Sequence, residues 1–233
     1  MLLTVRNLST YYGRAQILHG VSLSVDDGQI VALLGRNGAG KSTTLKSIMG
    51  LTPPSSGDVE LRGSRVNGKK TFEIARLGLG YVPEDRRIFT RLTVDENLRA
   101  GYRGSPAAFD DLLARMLKLF PNLAVMRKRF GAEMSGGEQQ MLTVARALMG
   151  RPACLLFDEP FEGLSPVMVD RLSELIVELK MTGLGILLAE PDFKVAEKIA
   201  DRVCIIESGM IKYQGTAKEL RDDSAARGRF LAL

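Results

Sequence analysis

Residues 35–42 read Gly35-Arg36-Asn37-Gly38-Ala39-Gly40-Lys41-Ser42 and come directly after the apolar run Ile30–Leu34. This segment fits the phosphate-loop pattern G-x-x-x-x-G-K-[ST], which requires a strand before it and a helix after it. Its glycines allow backbone N–H groups to turn toward a phosphate, and the N-terminus of the helix adds positive potential. A glycine-rich turn without a ligand would leave Lys41 and Ser42 unexplained. The segment therefore predicts an α/β fold that binds a nucleotide.

The phosphate loop also predicts individual roles. We expect Lys41 to reach the β- and γ-phosphates and Ser42 to coordinate Mg²⁺. The full set of residues predicted to surround the phosphates is Asn37, Gly38, Ala39, Gly40, Lys41, Ser42 and Thr43.

Strand and helix patterns alternate along most of the chain. The predicted strands are Val21–Val25, Ile30–Leu34, Val59–Leu61, Leu79–Val82, Cys154–Phe157, Ile186–Ala189 and Val203–Ile206. Helix starts are predicted after Gly40, at Thr93, at Ser105-Pro106, at Ser135 and at Ser165-Pro166. This alternation indicates a mostly parallel sheet with helices on both faces.

The middle of the chain has a different pattern. Between about residues 90 and 133 no segment reads as a strand, so a helical insert is predicted between two α/β portions. One face of its main helix carries apolar residues at helical spacing, namely Phe109, Leu112, Leu113, Met116, Leu117 and Phe120.

Composition excludes several classes of protein. Of the 233 residues, 45% are hydrophobic and 25% are charged, which is typical of a globular chain. No apolar run approaches the roughly 18–20 residues of a membrane span, and Met1–Arg6 shows no secretory signal, so we expect a cytoplasmic location. Cys154 and Cys204 form no metal-binding pair, and His19, expected in a loop, is the single histidine. The net charge of +5 comes without an aromatic-basic surface pattern, so we expect no nucleic-acid partner.

Two acidic residues follow the apolar run Cys154–Phe157. A strand that ends in Asp158 and Glu159 places both carboxylates at the edge of the sheet where ligands bind in such folds. Asp158 can hold Mg²⁺ or its water shell, and Glu159 can polarise an attacking water.

A second phosphate contact is predicted at Met134-Ser135-Gly136-Gly137-Glu138-Gln139-Gln140, called the signature segment below. A capped helix would use Ser135 and Glu138 but would not need two glycines in its first turn, where they weaken a helix. A helix N-terminus without side chains is a phosphate receptor, and this one is separate from the phosphate loop.

Together, the phosphate loop, the signature segment and Leu155-Leu156-Phe157-Asp158-Glu159-Pro160 resemble the ATP-binding cassette of ABC transporters, over essentially the whole chain. The resemblance implies a P-loop NTPase fold with an N-terminal antiparallel β portion, and a single cassette over residues 1–233. Its core lobe would comprise residues 1–89 and 134–233, and its helical subdomain residues 90–133. The implied cofactors are ATP and Mg²⁺.

In that family two cassettes pair head to tail, and ATP lies between the phosphate loop of one and the Ser-Gly-Gly of the other. The resemblance thus implies that Ser135, Gly136 and Gly137 contact the ATP of the partner. The same resemblance implies that Glu159 is the catalytic residue.

Two further residues match smaller motifs of the family. Tyr12 matches the aromatic residue that stacks on adenine, with Tyr11 as the alternative. Glu84 stands where most cassettes have the glutamine that contacts Mg²⁺ and the membrane partner, so it is expected at the metal and among the catalytic residues.

The segments Tyr81–Phe89, Leu92–Leu98 and Gly163–Pro166 resemble cassettes of importers for branched-chain amino acids and, nearby, for urea or short amides. Such a subunit would power a membrane permease from the cytoplasmic face of the inner membrane. Its other partners would be a second cassette, either identical or a sister subunit, and indirectly an extracytoplasmic solute-binding protein.

One position departs from the family pattern. Where most cassettes have a histidine that hydrogen-bonds the γ-phosphate, this chain has Pro191, which offers neither a side-chain donor nor a backbone N–H. Glu190 and Asp192 beside it are both expected to be anionic and to repel the γ-phosphate. We therefore expect slow ATP turnover at the site built on this chain's phosphate loop.

Three functions follow from these patterns. The first is the ATPase subunit of an importer. The second is a cassette with degenerate hydrolysis that acts as an ATP-gated dimerisation module beside an active sister subunit. The third, a soluble cassette acting on nucleic acid or ribosomes, is disfavoured because such proteins usually join two cassettes or carry long inserts.

Overall fold

The computed structural model describes residues 1–223 and Gly228. In this part of the chain the strands are β1 (Leu3–Tyr12), β2 (Ala15–Val25), β3 (Ile30–Leu34), β4 (Ser56–Leu61), β5 (Ser64–Arg65), β6 (Leu79–Val82), β7 (Cys154–Asp158), β8 (Gly185–Glu190), β9 (Arg202–Glu207) and β10 (Met210–Thr216). The α-helices are α1 (Lys41–Ile48), α2 (Thr71–Arg76), α3 (Val94–Gly101), α4 (Phe109–Leu119), α5 (Pro121–Val125), α6 (Gly136–Leu148), α7 (Pro166–Met181), α8 (Phe193–Ile199) and α9 (Ala217–Asp222). Within the same residues, no helix is both long and apolar enough to cross a membrane.

The larger sheet has the strand order β10-β9-β3-β8-β7-β6. Neighbouring strands are parallel from β9 to β6, and only β10 runs antiparallel to its neighbour. Every residue of β3, β7 and β8 is buried, which explains why these strands read as continuous apolar runs rather than as alternating patterns. The predicted mostly parallel sheet is confirmed.

The smaller sheet is antiparallel, with the order β2-β1-β4-β5, and it confirms the N-terminal β portion implied by the resemblance. Sequence patterns missed β1, because its alternation changes phase at Asn7, where φ is +49° and the pairing with β2 shifts. The expectation that His19 lies in a loop was wrong. His19 belongs to β2, and its backbone N–H donates to the carbonyl of Gly209 at 2.9 Å.

Helices cover both faces of the larger sheet, as predicted. On one face α1 and the antiparallel sheet enclose a core that contains Leu45 and Leu187. On the other face α6 and α7 pack over Leu155 and Leu188, while α8 and α9 pack beside them against β3 and β9.

Between residues 90 and 133 the described chain contains α3, α4, α5 and two short 3₁₀ segments, and the isolated bridge between Thr93 and Phe130 is its only β pairing. The predicted long helix is interrupted. Pro106–Ala108 is 3₁₀, α4 ends at Leu119, and Phe120 adopts φ −119° and ψ +72° because Pro121 disfavours a helical residue before it. The division into a core lobe and a helical subdomain stays a prediction.

Candidate nucleotide-binding site

The phosphate loop joins the end of β3 to the start of α1. Gly40 is the N-cap of α1 with φ +112°, and a Cβ there would lie 2.9 Å from Leu18 Cδ2, so a glycine is required. Gly38 has φ +80° and open space beside it. Because no side chain caps α1, the backbone N–H groups of its first turn remain available to an anion.

Lys41 lies almost completely buried beneath this loop. Its ammonium group donates to the carbonyls of Gly35 at 2.7 Å and Arg36 at 3.2 Å, and it forms an ion pair with Glu159 Oε1 at 3.1 Å. The Lys41 side chain is 2% exposed and that of Glu159 10%, so solvent screens this pair weakly. A phosphate that bound Lys41 would compete directly with Glu159.

One cavity of about 230 Å³ brings together most of the predicted nucleotide-binding residues. Its lining consists of Tyr12, Ile17, Gly38, Gly40, Lys41, Ser42, Thr43 and Glu159. Asn37 is exposed on the loop outside this lining, and Ala39 is buried below it. The residues of the signature segment do not line the cavity.

The two tyrosines at the end of β1 differ in position. Tyr12 lines the cavity, the residue is 47% exposed, and its hydroxyl lies 3.4 Å from that of Thr52. The hydroxyl of Tyr11 donates to Gln16 at 2.8 Å, and Tyr11 does not line the cavity. Of the two, Tyr12 is the one that shares a cavity with the phosphate-loop residues.

Asp158 ends β7 with one carboxylate oxygen partnered and the other free. Its Oδ2 accepts a hydrogen bond from the Tyr81 hydroxyl at 2.8 Å, whereas Oδ1 is buried without a hydrogen-bond partner among the described residues. Tyr81 was not predicted from the sequence. Burial, followed by the Asp158 charge and this hydrogen bond, raises the pKa of Tyr81 far above its ordinary value, so it stays a donor.

The unpartnered Asp158 oxygen and the Ser42 hydroxyl are oxygen ligands of the kind that Mg²⁺ prefers. The described residues hold no group of three or more His, Cys, Asp or Glu side chains able to bind a metal. Mg²⁺ usually takes only one or two protein carboxylates and completes its shell with water and nucleotide phosphates. The donor set therefore fits a nucleotide-bound Mg²⁺.

Glu159 follows β7 in a left-handed conformation, with φ +47°, and its backbone N–H donates to the carbonyl of Ala189 at 3.0 Å.

The Glu84 carboxyl group is close enough to Glu159 for the two charges to interact. Partial burial of its carboxyl group, then Glu159, Glu162 and Asp158, raise the pKa of Glu84. Glu84 therefore interacts electrostatically with the two acidic residues at the end of β7, Asp158 and Glu159.

The signature segment begins α6 through a reciprocal capping box. Glu138 N–H donates to the Ser135 hydroxyl at 3.4 Å, and Ser135 N–H donates to the Glu138 carboxylate at 2.7 Å. Its glycines also have a packing reason that the sequence did not reveal. A Cβ at Gly136 would lie 2.8 Å from the Arg86 guanidinium, and one at Gly137 would lie 3.0 Å from the Met168 methyl group.

The end of β8 corrects one expectation. Pro191 and Asp192 are exposed, and Asp192 caps α8 by accepting from the Lys194 N–H at 2.8 Å. Glu190, by contrast, is only 4% exposed, and burial raises its pKa to about 8. This direction runs against the expectation that Glu190 is anionic, because a pKa near 8 favours the neutral carboxyl group at pH 7.

Three of the relatives found by comparison with known proteins are described here, and each matches nearly the whole chain. It is 41% identical over 233 residues to the "High-affinity branched-chain amino acid transport ATP-binding protein BraG" of Pseudomonas aeruginosa, covering 99% of both chains. It is 38% identical over 225 residues to the "Probable branched-chain amino acid transport ATP-binding protein LivF" of Archaeoglobus fulgidus, covering 94% of both. It is 32% identical over 234 residues to the "Lipopolysaccharide export system ATP-binding protein LptB" of Haemophilus influenzae, covering 99% of this chain and 97% of that one.

The family model described as "ABC transporter" matches residues 18–162. Among solved structures, an ATP-binding subunit of an ABC transporter superposes with a TM-score of 0.86 at 35% identity, covering 100% of this chain and 97% of the other. A dimeric ATP-binding cassette bound to ADP and phosphate superposes with a TM-score of 0.82 at 25% identity, covering 93% and 99%.

Proposed function

The chain belongs to the ABC transporter family as an ATP-binding, ATP-hydrolysing cassette, and from this premise we propose that it powers an importer for branched-chain or other hydrophobic amino acids. Cassettes of this family generally pair with membrane permease subunits and form dimers. Our proposal adds the transported solute and the direction of transport to this general function of the family. Its main support is the 41% identity to BraG over essentially the full length of both proteins.

The relatives also support a second direction of transport. LptB, at 32% identity, serves lipopolysaccharide export, so likeness along the chain does not by itself decide between import and export. A cassette for urea or short amides is the other alternative, and a module with degenerate hydrolysis beside a sister cassette is the third. The higher identity to BraG and LivF favours the amino-acid importer.

We assign the site residues on the geometry described above. Lys41 and the N–H groups of the phosphate loop bind the ATP phosphates, and Tyr12 contacts the adenine. Ser42 and Asp158 would hold Mg²⁺, which would neutralise phosphate charge, and Glu84, whose pKa the Asp158 charge raises, would be a further ligand. Glu159 orients or deprotonates the attacking water, while Ser135, Gly136 and Gly137 complete the site of the partner cassette.

For the permease we propose a groove of about 560 Å³ between β6, α2, α3 and α6. Phe72 and Phe89 are each 50% exposed at its rim, and Arg103 and Arg146 add positive charge. The groove adjoins the segment that carries Glu84, so a permease segment bound there would contact the loop leading to the nucleotide. This arrangement supports a location at the cytoplasmic face of the inner membrane, with a solute-binding protein acting from the other side.

Uptake by a strain that lacks the gene tests the proposal. We expect its uptake of radiolabelled leucine to fall, and to recover with the wild-type gene but not with a Lys41→Ala gene. Uptake of radiolabelled urea and acetamide by the same strains is the comparison. Loss of urea or acetamide uptake with normal leucine uptake would favour the amide alternative, and normal uptake of all three would contradict an importer of these solutes.

A further inference from the structure

Glu190 is a buried acidic residue to which nothing above gives a role. It ends β8 between the ends of β3 and β7, opposite Leu34 in the register, and its carbonyl accepts from the Gly35 N–H at 3.3 Å. Its side chain is buried, and Oε1 has no hydrogen-bond partner in the described part of the chain. A buried polar atom without a partner is costly, so its retention next to the phosphate loop indicates a function.

The charged groups around Glu190 are those of the nucleotide site. Burial is the main cause of its raised pKa, Glu159 and Asp192 raise it further, and Lys41 together with a hydrogen bond from the Phe161 N–H lowers it. A pKa raised to about 8 favours the neutral acid at pH 7, in which one oxygen can accept from Phe161 and the O–H can donate.

The strand pairing places Glu190 beside the turn that carries Glu159, because Asp158 pairs with Ala189 and the Glu159 N–H donates to the Ala189 carbonyl at 3.0 Å. Glu159 holds its left-handed conformation two residues before Phe161, so an anchor on the Phe161 amide limits the movement of the turn. Such a conformation is costly for a residue other than glycine and persists only when its surroundings hold it. The Glu159 carboxylate forms its ion pair with the Lys41 ammonium group, at 3.1 Å.

Binding of ATP removes that cation, because the phosphates compete for Lys41. Glu159 then needs another donor to keep one of its oxygens fixed while the other faces water. We propose that Glu190 is a positioning residue for Glu159: it anchors the turn through the Phe161 amide and donates a hydrogen bond to the Glu159 carboxylate once ATP has taken Lys41. This inference rests on the proposed catalytic role of Glu159.

No covalent bond changes in this step, and the proton stays on Glu190. The hydrogen bond orients Glu159, whose second oxygen remains free to accept a proton from water. Glu190 therefore does not replace the donor to the γ-phosphate that Pro191 lacks.

Two variants separate the neutral acid from the carboxylate. Glu190→Gln keeps the shape, accepts from Phe161 through its carbonyl and donates through its amide, so we expect kcat within about threefold of wild type. Glu190→Met keeps the volume and removes both hydrogen bonds, so we expect kcat to fall by about 10–100-fold with KM for ATP unchanged. Glu178→Gln, an exposed glutamate on α7, is the matched control and should match wild type.

The pH profile adds a readout that a purely structural role would not change. Wild-type kcat/KM for ATP should fall as pH rises through about 8, because Glu190 of the free enzyme then ionises and repels Glu159. Glu190→Gln should keep its rate above pH 8. A loss of activity in Glu190→Gln as large as in Glu190→Met, or an unchanged kcat in Glu190→Met, would overturn the proposal.

Infrared spectroscopy tests directly whether Glu190 is a protonated acid, and it can be used if turnover cannot be measured or if Glu190→Met fails to fold. At pH 7 wild type should show the C=O band of a protonated carboxylic acid that Glu190→Gln lacks, and ATP with Mg²⁺ should shift this band to lower frequency. An absent band, or one that ATP does not shift, would overturn the inference. If wild type neither binds nor hydrolyses ATP, it is the proposed function that fails.

Discussion

At the scale of single residues, the chemistry of the site depends most directly on Glu159. In this structure it forms an ion pair with Lys41, and with ATP bound we assign it to the attacking water. One carboxylate thus has two partners in turn, and a single substitution affects both.

Glu159→Gln keeps the shape of the side chain and removes both the base and the negative charge. We expect ATP hydrolysis to fall by about 10²–10⁴-fold, as for the loss of a general base. ATP binding should be equal or tighter, because Lys41 no longer has a competing anion. Phosphate release and equilibrium dialysis measure the two effects, with Glu178→Gln as the control. Unchanged turnover would mean that the catalytic carboxylate lies elsewhere.

Pro191→His tests the missing donor. Loss of one donor to developing charge typically costs about 10²–10³ in rate, so we expect slow wild-type turnover and a clear increase when a histidine is introduced. Pro191 is exposed at the end of β8, which leaves room for the imidazole. Steady-state ATPase activity of the two proteins is the measurement. Robust wild-type turnover that the histidine does not accelerate would show that the donor is irrelevant here.

The sequence allowed some of these residues to be identified and not others. Lys41, Ser42, Asp158 and Glu159 lie in local patterns whose chemistry is readable without a structure. The hydrogen bond between Tyr81 and Asp158 joins residues that are 77 positions apart, so only the pairing of β6 with β7 brings them together. The raised pKa of Glu190 likewise results from burial by other elements, which its residue type alone does not reveal.

At the scale of elements, the connection between β6 and α3 is held by a buried asparagine. Asn97, completely buried in α3, donates to the carbonyls of Phe89 and Thr93 at 3.0 Å each and to that of Leu92 at 3.2 Å. Its Oδ1 accepts from the Phe89 N–H at 2.9 Å. This connection contains Glu84, so Asn97 links the helical part of the chain to the nucleotide site.

Asn97→Ala should lower the free energy of unfolding by roughly 2–3 kcal/mol, because it leaves several partly buried backbone groups of the connection without partners. Urea unfolding followed by circular dichroism measures the change. The matched control is Asn122→Ala in α5, where the asparagine makes no hydrogen bond with the described residues, and we expect a change below about 0.5 kcal/mol. Similar values for both variants would show that the Asn97 network contributes little.

Elements were predictable from sequence where a local pattern was uninterrupted. The buried strands β3, β7 and β8 gave continuous apolar runs, and capping boxes marked the starts of α3 and α6. Patterns failed where backbone geometry changed within an element. The phase shift at Asn7 concealed β1, and the proline at 121 ended α4 although the apolar spacing continued to Phe120.

At the scale of the whole molecule, the structure separates two surfaces that the function requires. The phosphate loop opens into the cavity beside Glu159, whereas the signature segment lies outside that cavity at the start of α6. One chain alone therefore cannot enclose ATP between the two. A head-to-tail pair of cassettes can. We therefore predict that mutations of the phosphate loop weaken ATP binding, whereas mutations of the signature segment prevent dimerisation.

Lys41→Ala should weaken ATP binding by the single chain by about 10–100-fold, because one charge-assisted interaction with the phosphates is lost. Ser135→Arg should leave that binding nearly intact but abolish ATP-dependent dimerisation, because a large side chain fills the surface that receives the partner's γ-phosphate. Ser135→Ala is the control: it removes the capping hydroxyl without filling the surface.

Both variants are best examined together with Glu159→Gln, because slow hydrolysis lets an ATP-bound dimer accumulate. Equilibrium dialysis gives the affinity of the single chain, and size-exclusion chromatography with ATP gives the fraction of dimer. Ser135→Ala should keep more dimer than Ser135→Arg, since its effect is limited to the cap and a lost hydroxyl. Ser135 lies outside the cavity, so a substitution there should not affect ATP bound by the same chain. If Lys41→Ala and Ser135→Arg weakened ATP binding by the single chain equally, the two phosphate receptors would not be separate.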